Sequence, residues 1–170
     1  MTVNQTVAIG HSPPGGDDLR RFMRHWPTGV LIVTTVYRGV PVGCTVNAMM
    51  SVSLAPPLLV VALARTSATL AAIGRTGSFG LNLLAAHQAA LSDRFAHTPQ
   101  HQRFTGVPYL MRGGIPVLRD ALTTAVCATH DIMPCGDHLL VVGAPEWLSE
   151  GEHRTPLVFH RHGYHRLTPC

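Results

Sequence analysis

A small β-barrel with helical decoration, held in one domain, is the architecture this chain of 170 residues predicts, and three features point there. Segments rich in β-branched and apolar residues outnumber amphipathic helical ones and follow one another directly, which argues against a doubly wound, alternating layout. Sixteen glycines and 13 prolines punctuate the boundaries between those segments. The composition is 46% hydrophobic and 13% charged, with a mean hydropathy of +0.19. Such a chain buries enough apolar surface to offset its ordering entropy, so disorder as the dominant state is excluded.

Each element follows in order. Residues 1–16 lack a basic n-region followed by an apolar core and read as a mobile tail rather than a secretion signal, leaving 17–168 as the domain. Asp17 and Asp18 are placed to cap a helix whose Leu19, Phe22, Met23 and Trp26 recur at i, i+3, i+4 and i+7, and Pro27 ends it. Val30 to Tyr37 and Val42 to Met50 predict two strands, with Arg38, Gly39, Val40 and Pro41 as a hairpin connection. Pro56 and Pro57 break the chain before an apolar strand from Leu58 to Ala64. Ser67 then caps a short helix carrying Leu70 and Ile73, stopped by Gly74 and Gly77, and Phe79 to Leu84 follows as a strand. A further helix from His87 to Ala96 aligns Gln88, Leu91 and Phe95, and Pro99 to Gly106 is a loop. Thr123 to Met133, Leu139 to Gly143 and Pro156 to Leu167 read as the remaining strands.

Several function classes fall away on residue types alone. All 13 basic side chains are Arg and none is Lys, which removes a Walker-type phosphate loop, a pyridoxal-phosphate Schiff base and a Ser-Lys dyad. Arg is suited instead to gripping a diphosphate or a carboxylate through its planar fork. The pI is about 9.2, yet the arginines are scattered from Arg20 to Arg166 with few aromatics between them, so no nucleic-acid partner is expected. The apolar run Leu58 to Ala64 is far below the roughly 20 residues that cross a bilayer, which predicts a soluble, cytoplasmic protein without a membrane partner. Cys44, Cys127, Cys135 and Cys170 form no pair at two-residue spacing and are expected to be reduced thiols, with Cys135 a small apolar filler. His160, His162 and His165 lack acidic companions and read as half-exposed strand histidines, so no metal is expected. No three-glycine dinucleotide fingerprint, nucleophile elbow or acid pair is present, which favours a cofactor that carries the chemistry.

A run of landmarks spans residues 18–167. It begins with Pro27, Thr28, Gly29 and Val30 leading into Val33, Thr34 and Thr35, then Gly43, Thr45, Asn47, Ala48, Ser51, Val52, Ser53, Pro56 and Pro57. Phe79, Asn82, Leu83, Leu84, Gln88, Leu91, Phe95, Arg103 and Phe104 follow, and then Gly136, Asp137, His138, Pro156, Leu157, Gly163 and Tyr164. In this order they resemble the flavin reductase family with the FMN-binding split barrel. Two departures stand out: Met49 and Met50 where the family commonly has Ser or Thr followed by an aromatic, and Ala55 where it has an acidic residue. Met49 and Met50 either fill the core or form a soft wall that tolerates both FMN and FAD.

The resemblance implies a homodimeric, Greek-key split barrel that transfers hydride from NADH, or NADPH, to FAD or FMN. The reduced flavin would diffuse to a separate flavin-dependent monooxygenase. Hydride transfer needs the reacting atoms about 3 to 3.5 Å apart, so the protein's work is positioning. By resemblance, Thr28, Gly29, Val30, Thr45, Val46, Asn47 and Ala48 line the isoalloxazine and ribityl chain. Ser51, Val52, Ser53, Ser67 and Thr69 hold the ribityl and phosphate, with Phe79, Asn82, Gln88, Ser92 and Phe104 completing that side. His138 and Asp137 form the catalytic pair, His138 placing the nicotinamide while Asp137 or backbone groups orient it; Gly136 binds the cofactor, and Tyr164 either covers the pyridine nucleotide or packs in the core or an interface. Two alternatives stand beside these roles. Gly136 to His138 also suits a plain tight turn, and the same fold also suits a non-catalytic flavin-binding or electron-carrier protein.

Overall fold

The computed structural model describes residues 13–149, 151 and 154–167; the expected tail at 1–12, residue 168 and the thiol of Cys170 lie outside them. Along the chain run α1 (Gly16–Met23), β1 (Thr28–Gly29), β2 (Leu31–Tyr37), β3 (Val40–Val46), β4 (Met49–Leu54), β5 (Pro57–Ala64), α2 (Ala68–Thr76) and β6 (Ser78–Leu83). Then come α3 (Ala89–His97), β7 (Tyr109–Arg112), β8 (Ile115–Leu118), β9 (Thr123–Cys135), β10 (His138–Leu148), β11 (Leu157–His160) and β12 (Gly163–Arg166). The protein is mainly β with few helices, and no described helix is long and apolar enough to cross a membrane.

Seven strands make one antiparallel sheet in the order β3-β2-β6-β9-β10-β5-β4. Its two edges, β3 and β4, are consecutive in the chain and joined only by Asn47 and Ala48, so the sheet has to roll until its edges meet. Ala62 of β5 donates its N–H to the Ala48 carbonyl at 3.0 Å, which extends the β4–β5 ladder one residue beyond Met49. Alternate strand residues share one face. Leu31 and Val33, Phe79 and Leu81, Ala125 and Cys127, Val61 and Leu63 therefore pack together inside the roll, with Leu70 and Ile73 of α2 against them. Gly143 makes room for this core, since a Cβ there would stand 2.5 Å from the Phe79 ring. Burial pushes the Cys127 thiol up to about 12, with Glu146 adding to it, which leaves a neutral packing group. On the outer face Val30, Ile32, Leu84, Phe95, Leu118 and Leu157 form a second cluster under α3. β1, β11 and β12 form a separate three-stranded sheet with β11 in the centre.

Local boundaries depart from the sequence reading in instructive ways. The cap of α1 is Gly15, whose N–H donates to Asp18 Oδ2 at 2.9 Å, while Asp17 and Asp18 lie in the first turn and pair with Arg20 and Arg21. That helix also ends at Met23 rather than Trp26, and its apolar side chains are exposed, Phe22 by 73%. The β2–β3 hairpin turns on two residues, Arg38 and Gly39 at φ 50° and 80°, rather than four. The strand expected from Val42 to Met50 is two strands, bent at Asn47 and Ala48. Ser67 caps α2 as expected, accepting from the Leu70 N–H, but only Gly77, at φ 71°, takes the left-handed C-cap; Gly74 lies inside the helix. The helix expected from His87 splits into a 3-10 turn, Ala86–Gln88, and α3. The last expected strand is the β11–β12 hairpin, with Arg161 and His162 in its turn at φ 50° and 63°. His162 therefore does not share a strand face with His160, whose ring meets that of His165 at 5.8 Å instead. Cys135 is exposed rather than a filler, and Met49 and Met50 are exposed rather than core residues.

Candidate functional site

The seam of the rolled sheet separates two cavities, and Asn47 and Ala48 line both. One, of about 520 Å³, lies where the end of β3, the end of β5 and the cap of α2 converge, with Arg103 and His138 on its wall. No carboxylate among the described residues lines it. Arg103 is held by two backbone carbonyls, donating Nε–H to Thr98 O at 2.8 Å and an Nη–H to Gly43 O at 2.7 Å. Both partners are neutral, so its charge is not cancelled. Ser67, whose Oγ accepts from Leu70 N–H at 3.3 Å, brings the positive end of α2 to the same wall. An arginine, a helix N-terminus and hydroxyls around an acid-free hollow are suited to an anionic group such as a phosphate. Burial pushes the neighbouring Cys44 thiol up, opposed by the Thr69 and Ser67 hydroxyls and by Arg103, so it stays a neutral wall group.

His138 reaches this cavity from the β9–β10 hairpin. Gly136, at φ 59°, and Asp137 form a two-residue turn closed by the pairing of Cys135 with His138. The triplet is thus a tight turn and also the carrier of an imidazole on a cavity wall. His138 Nδ1 lies 2.8 Å from Asp137 Oδ1, and this hydrogen bond holds the Asp137 carboxyl below the ordinary carboxylate range. The carboxylate keeps the proton on Nδ1 and leaves Nε2 as the free ring nitrogen.

The second cavity, of about 620 Å³, is apolar and is walled by Met23, Trp26, Thr28, Gly29, Val30, Met49, Met50 and Leu140 among others. Thr28 Oγ1 is buried in that wall without a hydrogen-bond partner among the described residues. Ala48 and Gly29 present little or no side chain here, so a flat ring can approach the backbone closely.

The remaining residues singled out from the sequence lie elsewhere. Ser51, Val52 and Ser53 sit on the edge strand β4, across a register shift, and line neither cavity. Thr69 is fully buried in α2, and Phe79 is in the sheet interior. Asn82 donates to Ile32 O and Thr34 Oγ1 and accepts from Leu118 N–H, which ties β2, β6 and β8 together and engages both ends of its amide. Gln88 accepts from the Ala85 N–H, and Phe104 packs edge-on between Phe95 and Tyr109. Ser92 accepts from Thr45 Oγ1 through its carbonyl, and its hydroxyl lies 2.9 Å from Tyr164 Oη, which is equally close to Asp93. These residues brace α3 behind the polar cavity. Sequence reasoning passed over Arg103 as a site residue; the signal available was an arginine in a loop, 100–106, without a single acid.

The profile of the family described as flavin reductase like domain matches residues 23–168. An NADH-dependent FMN reductase of Streptomyces nodosus subsp. asukaensis is 38% identical over 165 residues, 92% of this chain and 88% of that protein. The reductase subunit of a flavin-dependent monooxygenase from Rhodococcus jostii is 35% identical over 156 residues, covering 89% and 80% of the two chains. Among solved structures, an NADH:FAD oxidoreductase of Streptomyces globisporus in complex with NAD and FAD fragments superposes with a TM-score of 0.84 at 27% identity, covering 90% of this chain and 93% of that one.

Proposed function

The chain belongs to the flavin reductase family, and from that premise we propose that it transfers hydride from NADH to FAD or FMN and releases the reduced flavin to diffuse to a partner monooxygenase. The observation that carries the reading is the pair of cavities sharing Asn47 and Ala48, one cationic and acid-free, the other apolar. Together they match a ligand with a phosphate at one end and a flat ring system at the other. A bound flavin supplies the hydride acceptor; the chain's own residues bind, orient and exclude water. Ser67, Arg103 and the N-terminus of α2 take the phosphate. Thr45, Val46, Asn47 and Ala48 flank the ring and ribityl chain, with Thr28, Gly29 and Val30 on the apolar side. His138, its Nδ1 held by Asp137, directs Nε2 at the nicotinamide. Gln88, Ser92, Phe104 and Tyr164 act at one remove, by bracing α3.

The fuller reading extends to assembly. The rolled sheet is a Greek-key split barrel within one domain at 17–168, and the protein works as a cytoplasmic homodimer. Supporting this, Leu19, Phe22, Met23 and Trp26 around α1 and Met50, Val52 and Leu54 on β4 leave apolar surface uncovered in a single chain. A second copy laid on that face would also bring Ser51, Val52 and Ser53 of β4 against a neighbour.

The test is loss of NADH and NADPH absorbance by the purified protein with FAD, FMN, riboflavin or no flavin. Rapid NADH oxidation that saturates with FAD or FMN is expected. Flavin binding without oxidation of either nucleotide would replace this reading with an electron carrier of the same fold.

A further inference from the structure

We propose that Arg65 is a positioning residue for His138, acting through the turn between β9 and β10; the proposal rests on the reading of His138 as the group that orients the nicotinamide. Ala64 closes β5 by pairing with His138, and Arg65 is the next residue. Its backbone N–H donates to Asp137 O at 3.1 Å and its Nε–H donates to Gly136 O at 2.9 Å. Both carbonyls of the two-residue turn are therefore held by one residue that lies 71 positions away in the chain.

The turn needs such a hold. Gly136 has a positive φ, the Asp137 side chain is fully exposed, and hairpin ends with exposed backbone are the first parts of a sheet to open. Asp137 in turn fixes His138 Nδ1. The orientation of the imidazole thus depends on where Asp137 stands, and Asp137 stands where Arg65 keeps the turn. Arg65 has no carboxylate within ion-pair distance among the described residues, so its guanidinium serves as a charge-assisted donor to the turn rather than as half of a salt bridge. No substrate contact is required of it, and it lines neither cavity.

A double-mutant cycle tests this in the full chain with saturating flavin, comparing Arg65→Ala, His138→Ala and the double variant by KM and kcat for NADH. Arg65→Ala is expected to raise the NADH KM about fivefold, in keeping with the loss of one charge-assisted hydrogen bond, with flavin Kd unchanged. Arg65→Lys, whose ammonium still reaches a turn carbonyl, should restore most of the affinity. In the His138→Ala background, Arg65→Ala should have no further effect. An equal effect in both backgrounds would show that Arg65 acts by itself and overturn the proposal while leaving His138 in place. The same follows if His138→Ala raises KM strongly and Arg65→Ala does nothing. If His138→Ala itself leaves the NADH KM unchanged, the reading of His138 fails and this inference with it. Arg65→Gln takes the place of Arg65→Ala should the latter not fold.

Discussion

Asn82 and Asn47 are the same residue in opposite circumstances. Asn82 is 0% exposed and both of its amide ends are engaged by β2 and β8. Asn47 is exposed on the seam of the sheet, borders both cavities, and makes no side-chain hydrogen bond among the described residues. The contrast separates scaffold from site by a physical criterion: hydrogen-bonding capacity already satisfied inside the protein holds the fold, and capacity left open beside a cavity is available to a ligand.

Replacing each asparagine by leucine breaks the comparison most directly. Asn82→Leu strands the buried Leu118 N–H and removes the amide's bonds to Ile32 O and Thr34 Oγ1, and is expected to cost about 3 kcal/mol or more of stability, read as a lowered denaturant midpoint. Asn47→Leu should leave stability within about 0.5 kcal/mol, as an exposed substitution does, and abolish flavin binding measured by fluorescence quenching. Equal loss of stability in both variants would erase the distinction. Next in size is His138→Ala, expected to lower kcat/KM for NADH by about 10- to 100-fold with flavin Kd unchanged, a loss of about 1.4 to 2.7 kcal/mol of transition-state binding. Arg103→Ala sharpens the ligand side: FMN and FAD should bind about tenfold more weakly while riboflavin, lacking the phosphate, binds as before.

The smallest effect is one of pH. The Asp137 carboxyl is held below its ordinary range, so its bond to His138 is intact above that range and is lost as pH falls through the depressed value. The NADH KM should therefore rise only in that acid window, in steady-state assays, with Asp137→Asn removing the dependence.

Much of this fold was legible because β-branched runs mark strands wherever they fall. Val30 to Tyr37, Leu58 to Ala64 and Phe79 to Leu84 emerge within a residue or so of the observed limits. Two things escaped for a common reason. Val42 to Met50 is one apolar run, and nothing in its periodicity announces that the chain leaves one edge of the sheet at Asn47 and enters the other at Met49. The β7–β8 hairpin consists of four-residue strands around Gly113 and Gly114, too short for alternation to register. At the site, the residues themselves marked the Ser67 cap and the turn that ends at His138. Sequence alone could not distinguish Phe79 and Asn82, which are buried on opposite faces of β6, from neighbours that face a cavity, because burial depends on the roll of the sheet. Arg103 escaped because its meaning lies in its place on the cavity wall, which the bond to the distant Gly43 carbonyl sets and only the fold supplies.

The two-residue passage from β3 to β4 makes the closure of the sheet and the wall shared by both cavities one piece of backbone. Lengthening the chain there would slacken the roll and reshape both cavities together, so binding and folding are inseparable at that point. The Gly113–Gly114 tip, on a two-stranded ribbon away from both cavities, has no such double duty. A reporter peptide or a tether to an oxygenase inserted at the tip should leave the molecule whole, and one inserted at the seam should not.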